Sequence, residues 1–131
     1  MKKSMFFFFT IYLILISCNS DDDNYKKQSL IGNWKLIETY GSYGGELPHW
    51  STVSDGYLYE FKSDNSLYSD EYLCEGNYLI LQNNKIKMHF DCNESQILAT
   101  YDIYLDKEFL ILTPNPSSCD EGCAEKFEKI N

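Results

Sequence analysis

Apolar and polar residues alternate along several short stretches of this chain, which is the pattern of β-strands that bury one face. One such stretch runs from residue 57 to residue 62, and another from residue 97 to residue 105. Residues that favour turns, such as Ser63-Asp64-Asn65, separate the stretches. The pattern predicts eight strands, over residues 30–40, 57–62, 66–72, 74–81, 85–92, 97–105, 108–113 and 123–130.

The spacing of these strands predicts how they assemble. They follow one another at short, even intervals, and no long helical pattern interrupts them. A single antiparallel sheet of this kind removes its exposed edges by closing on itself. We therefore expect an all-β protein with an eight-stranded antiparallel up-and-down barrel.

The stretch from Cys74 to Cys92 predicts a β-hairpin, and two separate matches between its strands indicate the same register. A three-residue turn at 82–84, with an Asn in the left-handed conformation, places Tyr78 opposite Met88 on an apolar face. The same register places Cys74 opposite Cys92, close enough for a disulfide. A shift of one residue would destroy both matches.

Residues 1–17 have the features of a secretory signal peptide. Two lysines precede an apolar run that is shorter than the roughly 20 residues needed to span a bilayer. The run ends in Leu15-Ile16-Ser17-Cys18, which resembles a bacterial lipobox, so we expect Cys18 to carry lipid and to become the first residue of the mature protein. An ordinary signal peptide with a cysteine at this position is the alternative.

Residues 18–29 predict a flexible acidic tether, because the run of Asp21, Asp22 and Asp23 offers no apolar residue to pack. A serine followed by acidic residues behind a lipid-bearing cysteine resembles the export tag of Bacteroidetes surface lipoproteins. That resemblance implies a protein anchored in the outer membrane and exposed on the cell surface. The alternative is that the aspartates only hold a periplasm-facing domain off the membrane.

Four further cysteines predict two disulfides. Their number is even, and exported thiols tend to oxidise. The hairpin register selects Cys74 with Cys92 and leaves Cys119 with Cys123, across a turn in which Gly122 relieves strain. We expect no metal site, because Cys119 and Cys123 lack the Cys-x2-Cys spacing and few histidines could join them.

The segment Leu30-Ile31-Gly32-Asn33-Trp34-Lys35-Leu36 carries a family resemblance. It is similar to the Leu-x-Gly-x-Trp opening of the lipocalin-like domains found in many Bacteroidetes lipoproteins. The resemblance implies a lipocalin-like barrel over residues 30–131, in which Trp34 closes the narrow end.

Residues 41–56 predict a long loop, because they contain four glycines, Pro48 and several serines. In lipocalin-like barrels the corresponding loop partly covers the open mouth. The resemblance therefore makes this segment a candidate lid, with His49 and Trp50 facing a ligand. The alternative is that Trp50 simply packs on the barrel rim, where its large ring would be buried.

The charge of the chain limits the kinds of partner that it is expected to bind. The chain has 20 acidic and 11 basic residues and a pI near 4.5, which argues against nucleic acid as a partner. It contains no Arg, so it lacks the bidentate clamp that binds phosphate or carboxylate groups. A neutral or hydrophobic ligand is therefore favoured.

Sequence motifs of catalysis are missing. The chain has no Gly-x-Ser-x-Gly elbow, no phosphate-binding glycine loop with Lys and no His-Glu-x-x-His. We therefore expect neither an enzyme nor a bound cofactor.

The sequence leaves two functions open. The first is binding of one small, neutral or hydrophobic molecule in the barrel mouth. The second is protein interaction or inhibition at the cell surface, in which the same aromatic residues simply fill the barrel. The expected ligand-binding residues are Trp50, His49, Tyr57, Tyr59, Phe61, Tyr78, Met88, Phe90 and Tyr101.

Overall fold

The computed structural model describes residues 20–42, 44–93 and 95–130. The predicted signal peptide and the lipidation of Cys18 lie outside these residues. One helix, α1 (Ser20–Leu30), precedes nine strands: β1 (Gly32–Gly41), β2 (His49–Thr52), β3 (Leu58–Phe61), β4 (Ser66–Ser69), β5 (Cys74–Leu81), β6 (Lys85–Cys92), β7 (Ser95–Leu105), β8 (Phe109–Pro114) and β9 (Ala124–Ile130). Within the described part of the chain, no helix is both long and apolar enough to span a membrane.

Eight of the strands form a closed antiparallel barrel, as predicted. Neighbours along the chain pair in order from β3 to β9, and β1 pairs with both β3 and β9. The β1–β9 ladder runs from Asn33 opposite Ile130 to Tyr40 opposite Ala124, with a bulge between Leu36 and Glu38. This ladder closes the sheet into an up-and-down barrel.

The strand outside the eight-stranded barrel is β2, and its presence corrects one prediction. Residues 41–56 were expected to form a loop, but His49–Thr52 pair with the second half of β1. Strands β2 and β3 thus occupy the same edge of β1, one after the other. Between them the chain stays attached to β1, because Val53 donates its backbone N–H to Ile37 and Leu36 donates to Tyr57.

The predicted hairpin register is confirmed. Tyr78 pairs with Met88 and Gly76 with Phe90, across a turn in which Asn83 and Asn84 have positive φ. Two disulfides join the predicted partners. Cys74 is bonded to Cys92 and Cys119 to Cys123, with Cα–Cα distances of 5.6 and 5.8 Å.

One end of the barrel is closed by α1 and by Trp34. The Trp34 indole donates a hydrogen bond to the carbonyl oxygen of Leu30 at 2.7 Å, and both side chains are fully buried. Lys129 reaches the same end, where its ammonium donates to the carbonyl of Ser29 at 2.8 Å. The predicted position of Trp34 at a closed end is therefore confirmed.

The helix α1 begins at Ser20, inside the segment predicted to be a flexible tether. Lys27 lies in its last turn, where the helix dipole favours a positive charge.

The core lies inside the barrel, where side chains from every second strand position meet. Rings dominate it: Tyr59 lies 5.3 Å from Phe127 and 6.2 Å from Phe90, measured between ring centroids. The buried core residues include Trp34, Leu36, Tyr59, Phe61, Leu67, Tyr78, Ile86, Met88, Phe90, Leu110, Leu112 and Phe127.

We expect Gly76→Ala to lower the free energy of unfolding by about 1–3 kcal/mol, because overpacking a core has a cost of that size. A Cβ atom at this position would lie 2.8 Å from the Phe90 ring and would also press on the His89 backbone. The measurement is chemical denaturation. Gly41→Ala is the matched control, since a Cβ atom there meets no atom of the described residues within 4 Å. Equal stability of the two variants would contradict the packing argument.

Candidate functional site at the open end of the barrel

The open end lies opposite α1. There β1 and β8 end, β9 begins, and the turn at residues 70–73 and the loop at residues 115–123 connect strands. Both disulfides also lie at this end, because Cys74 and Cys92 are strand ends and Cys119–Cys123 closes the loop. Disulfides and short ladders thus hold the rim at several points.

A carboxylate and several tyrosines meet just inside this rim. Glu125 lies two residues before the fully buried Phe127 and therefore shares its inward face. Tyr57 packs against both Tyr59 and Phe127, at centroid distances of 5.2 and 5.6 Å. The Tyr57 hydroxyl donates a hydrogen bond to the Glu125 carboxylate. We call Tyr57, Tyr59, Tyr72, Tyr101 and Glu125 the rim cluster.

Burial controls the protonation of Glu125. Loss of solvent raises the pKa of its carboxyl group, and the nearby Glu71 charge raises this pKa further, whereas the hydrogen bond from Tyr57 opposes the shift. Among the described residues no ion pair joins Glu125 to a lysine. The carboxylate is thus held by a hydroxyl and not by a cation.

The same surroundings raise the pKa values of the tyrosines in the rim cluster. Burial, followed by the charges of Tyr72 and Glu125, raises the pKa of Tyr101 to about 12. Burial likewise raises the pKa values of Tyr57 and Tyr59. All three hydroxyls are therefore neutral at physiological pH and can donate or accept hydrogen bonds.

A cavity of about 290 Å³ opens at the rim beside this cluster. It lies between the ends of β1, β8 and β9, the middle of β7 and the 115–123 loop. Its walls combine rings, hydroxyls and one carboxylate, contributed by Thr39, Tyr40, Tyr101, Ser118, Ala124 and Glu125. A shallower cavity of about 430 Å³ adjoins it, between Tyr40 and the Cys119–Cys123 loop.

The loop that borders both cavities is anchored at its start. Asn115 donates its backbone N–H to Thr100 at 2.8 Å and its side-chain amide to Asp102 at 2.7 Å. Lys85 also donates to Asp102, and these hydrogen bonds lower the pKa of the Asp102 carboxyl group. The Cys119–Cys123 disulfide fixes the far end of the loop. The loop is therefore tied to the barrel on both sides of the cavity.

The expected ligand-binding residues fall into three groups. Tyr101 lines the rim cavity, whereas Tyr57 and Tyr59 belong to the rim cluster but not to the cavity wall, and Tyr59 is only 1% exposed. Four others, Phe61, Tyr78, Met88 and Phe90, pack in the core at 3% exposure or less. The Tyr78 hydroxyl is used there, because it donates to the Lys62 carbonyl at 2.8 Å.

The third group, His49 and Trp50, lies on β2. Trp50 pairs with Tyr40 in the ladder and packs on its ring at 5.3 Å, while 40% of the Trp50 surface remains exposed. His49 is exposed, and its Nδ1–H donates a hydrogen bond to the Leu47 carbonyl oxygen at 3.1 Å. Trp50 thus packs against Tyr40 without being buried as the alternative interpretation expected, and neither His49 nor Trp50 lines the rim cavity.

Sequence reasoning missed Thr39, Tyr40 and Glu125 as cavity residues. A signal for Glu125 was present, since Glu125 and the apolar Phe127 are two residues apart on the predicted strand 123–130 and therefore share a face. Thr39 and Tyr40 carried no comparable signal, because the bulge in β1 reverses the alternation after Leu36.

Two further observations concern polar side chains and possible metal ligands. Within the described chain, Ser69 has a buried hydroxyl without a hydrogen-bond partner, directly across the ladder from Tyr59. In residues 20–42, 44–93 and 95–130, no three His, Cys, Asp or Glu side chains lie close enough together to hold a metal ion.

The chain matches no protein-family model, no curated protein and no solved structure.

We expect Glu125→Gln to raise the melting temperature at neutral pH by a few degrees. The folded-state pKa of Glu125 is raised, so its contribution to stability is fully present below the unfolded value of 4.5 and is lost as pH rises through the folded value. The amide keeps the shape of the side chain and cannot ionise. Thermal unfolding of both proteins between pH 4 and pH 8 measures this difference, which should shrink toward pH 4. A gap that widens on acidification would contradict the assignment.

Proposed function

We propose that this protein is a lipid-anchored, exported, lipocalin-like binding protein that holds one small hydrophobic molecule at the open end of its barrel. The observation that carries the proposal is the rim cavity of about 290 Å³, lined by Tyr40, Tyr101 and Ala124 together with Thr39 and Glu125. Rings for contact and a few polar groups for orientation are the usual composition of small-molecule sites.

The packing of the barrel supports this location of the ligand. Phe61, Tyr78, Met88 and Phe90 fill the interior below the rim, so a ligand would contact the upper residues of the sheet. The volume of about 290 Å³ lies just below the usual range of about 300–1,000 Å³, which favours a compact ligand.

The lipid anchor in this proposal rests on the sequence. It uses the lipobox resemblance at Leu15–Cys18 and the acidic residues that follow it. Attachment to the outer membrane would keep the ligand at the cell envelope.

Native mass spectrometry of the full-length protein, purified from the cells that make it, tests ligand binding. We expect one noncovalently bound small molecule. Thr39→Phe should abolish its retention, because the ring would fill the rim cavity. Thr100→Phe is the matched control, since Thr100 pairs with Lys87 on the outer face of the sheet. Retention by Thr39→Phe, or no bound molecule in the unaltered protein, would count against the proposal.

A protein partner on the cell surface is the second candidate function. One observation favours it: Leu79 and Leu98 are 57% and 62% exposed on the outer face of the barrel. With Lys87 and His89 they border a groove of about 340 Å³. Exposed apolar groups that lie together are typical of interaction sites.

Affinity capture from host cell extracts, with the full-length protein as bait, tests this second candidate. We expect the double variant Leu79→Ser/Leu98→Ser to lose a partner that the unaltered protein retains. Leu47→Ser is the control, because Leu47 is exposed but belongs to the β1–β2 connection. A partner held equally by all three proteins would show that this groove is not its binding site.

A further inference from the structure

The rim cavity offers hydrogen-bond acceptors and negative charge together. Glu125 contributes a carboxylate, and Thr39 and Tyr101 contribute hydroxyl oxygens to the same walls. The Tyr57 hydroxyl already donates to Glu125, so the remaining lone pairs of the carboxylate are available to a donor on a ligand. A ligand with several N–H donors would match these oxygens.

The charges around the cavity also favour a ligand with N–H donors. Glu71 acts on Glu125, Tyr72 and Tyr101, so a second carboxylate adds to the negative potential at the rim. The salt bridges among the described residues join lysines to Glu38, Glu60, Glu75 and Asp102, and none of these lysines pairs with Glu125. A positive charge entering the cavity would therefore meet a carboxyl group that forms no ion pair with a lysine of the described chain.

The free-energy cost of burying the Glu125 carboxylate favours a cationic ligand. A half-buried carboxylate loses hydration, which disfavours its ionised form in the folded protein. A bound cation would offset that loss, because a charge-assisted hydrogen bond in a partly desolvated site is stronger than one between neutral groups. A neutral ligand would leave the charge uncompensated.

We propose that the rim cavity binds a small protonated amine on a compact apolar body, with its ammonium group at the Glu125 carboxylate and its body against Tyr40 and Tyr101. This inference rests on the proposed binding function and specifies the class of ligand. The three donors of a primary ammonium group match the carboxylate and the hydroxyls of Thr39 and Tyr101. The size of the cavity favours an amine with a single ring.

Isothermal titration calorimetry of the full-length protein tests the inference with three probes of the same skeleton. These probes are 2-phenylethylamine, which is cationic, 2-phenylethanol, which is neutral, and phenylacetate, which is anionic. We expect the amine to bind at least about 10-fold more tightly than the alcohol, as one charge-assisted hydrogen bond requires. Phenylacetate should bind most weakly of the three.

Two variants locate the preference. Glu125→Gln should bring the affinity for the amine down to that for the alcohol. Glu128→Gln should keep the difference, because Glu128 lies on the same strand but is exposed on the outer face. Thermal unfolding of both variants verifies that they are folded.

The results separate this inference from the proposed function. Equal affinity of the unaltered protein for the amine and the alcohol overturns the inference, although a retained small molecule in native mass spectrometry would still support a binding protein. An amine preference that survives in Glu125→Gln also overturns it, as does failure of the amine to bind. Loss of the preference in Glu125→Gln alone supports it.

Discussion

The pairing of β1 with β9 is the contact on which the rest of this structure depends. Without it the sheet would have two open edges, and the inward rows of rings from β3 to β8 would have no opposite wall to pack against. The same ladder brings Trp34 to the closed end and Thr39 beside Glu125 at the open end. One strand therefore contributes both to the closed end of the barrel and to the wall of the rim cavity.

The two ends of the barrel differ in chemistry for a physical reason. At the closed end, α1 supplies backbone carbonyls that accept hydrogen bonds from Trp34 and Lys129, so every donor named there has a partner. At the open end, a carboxylate and four tyrosines lie close enough to change one another's pKa values, and no lysine among the described residues forms an ion pair with that carboxylate. The polar groups at the two ends therefore differ in the partners that they have.

The strand pattern was predictable because alternation and turn residues are local. The register from Cys74 to Cys92 followed from matching apolar positions and sulfur atoms across one turn, and the strand that contains Phe127 followed from the same rule. What the sequence could not supply was the bulge near Ile37 and the short strand β2. Both depend on how β1 divides its edge between two partners, which is a property of the assembled sheet. The predicted site residues were dispersed accordingly: Tyr101 lies in the wall of the rim cavity, whereas Tyr59 and Met88 are buried in the core.

The position of α1 has a consequence for the orientation of the protein. The chain enters the barrel through the closed end, on the side opposite Glu125. A fatty acyl chain on Cys18 would therefore hold that closed end toward the bilayer and direct the rim outward into the surrounding medium. The rim cavity would then face the aqueous phase and not the surface of the bilayer.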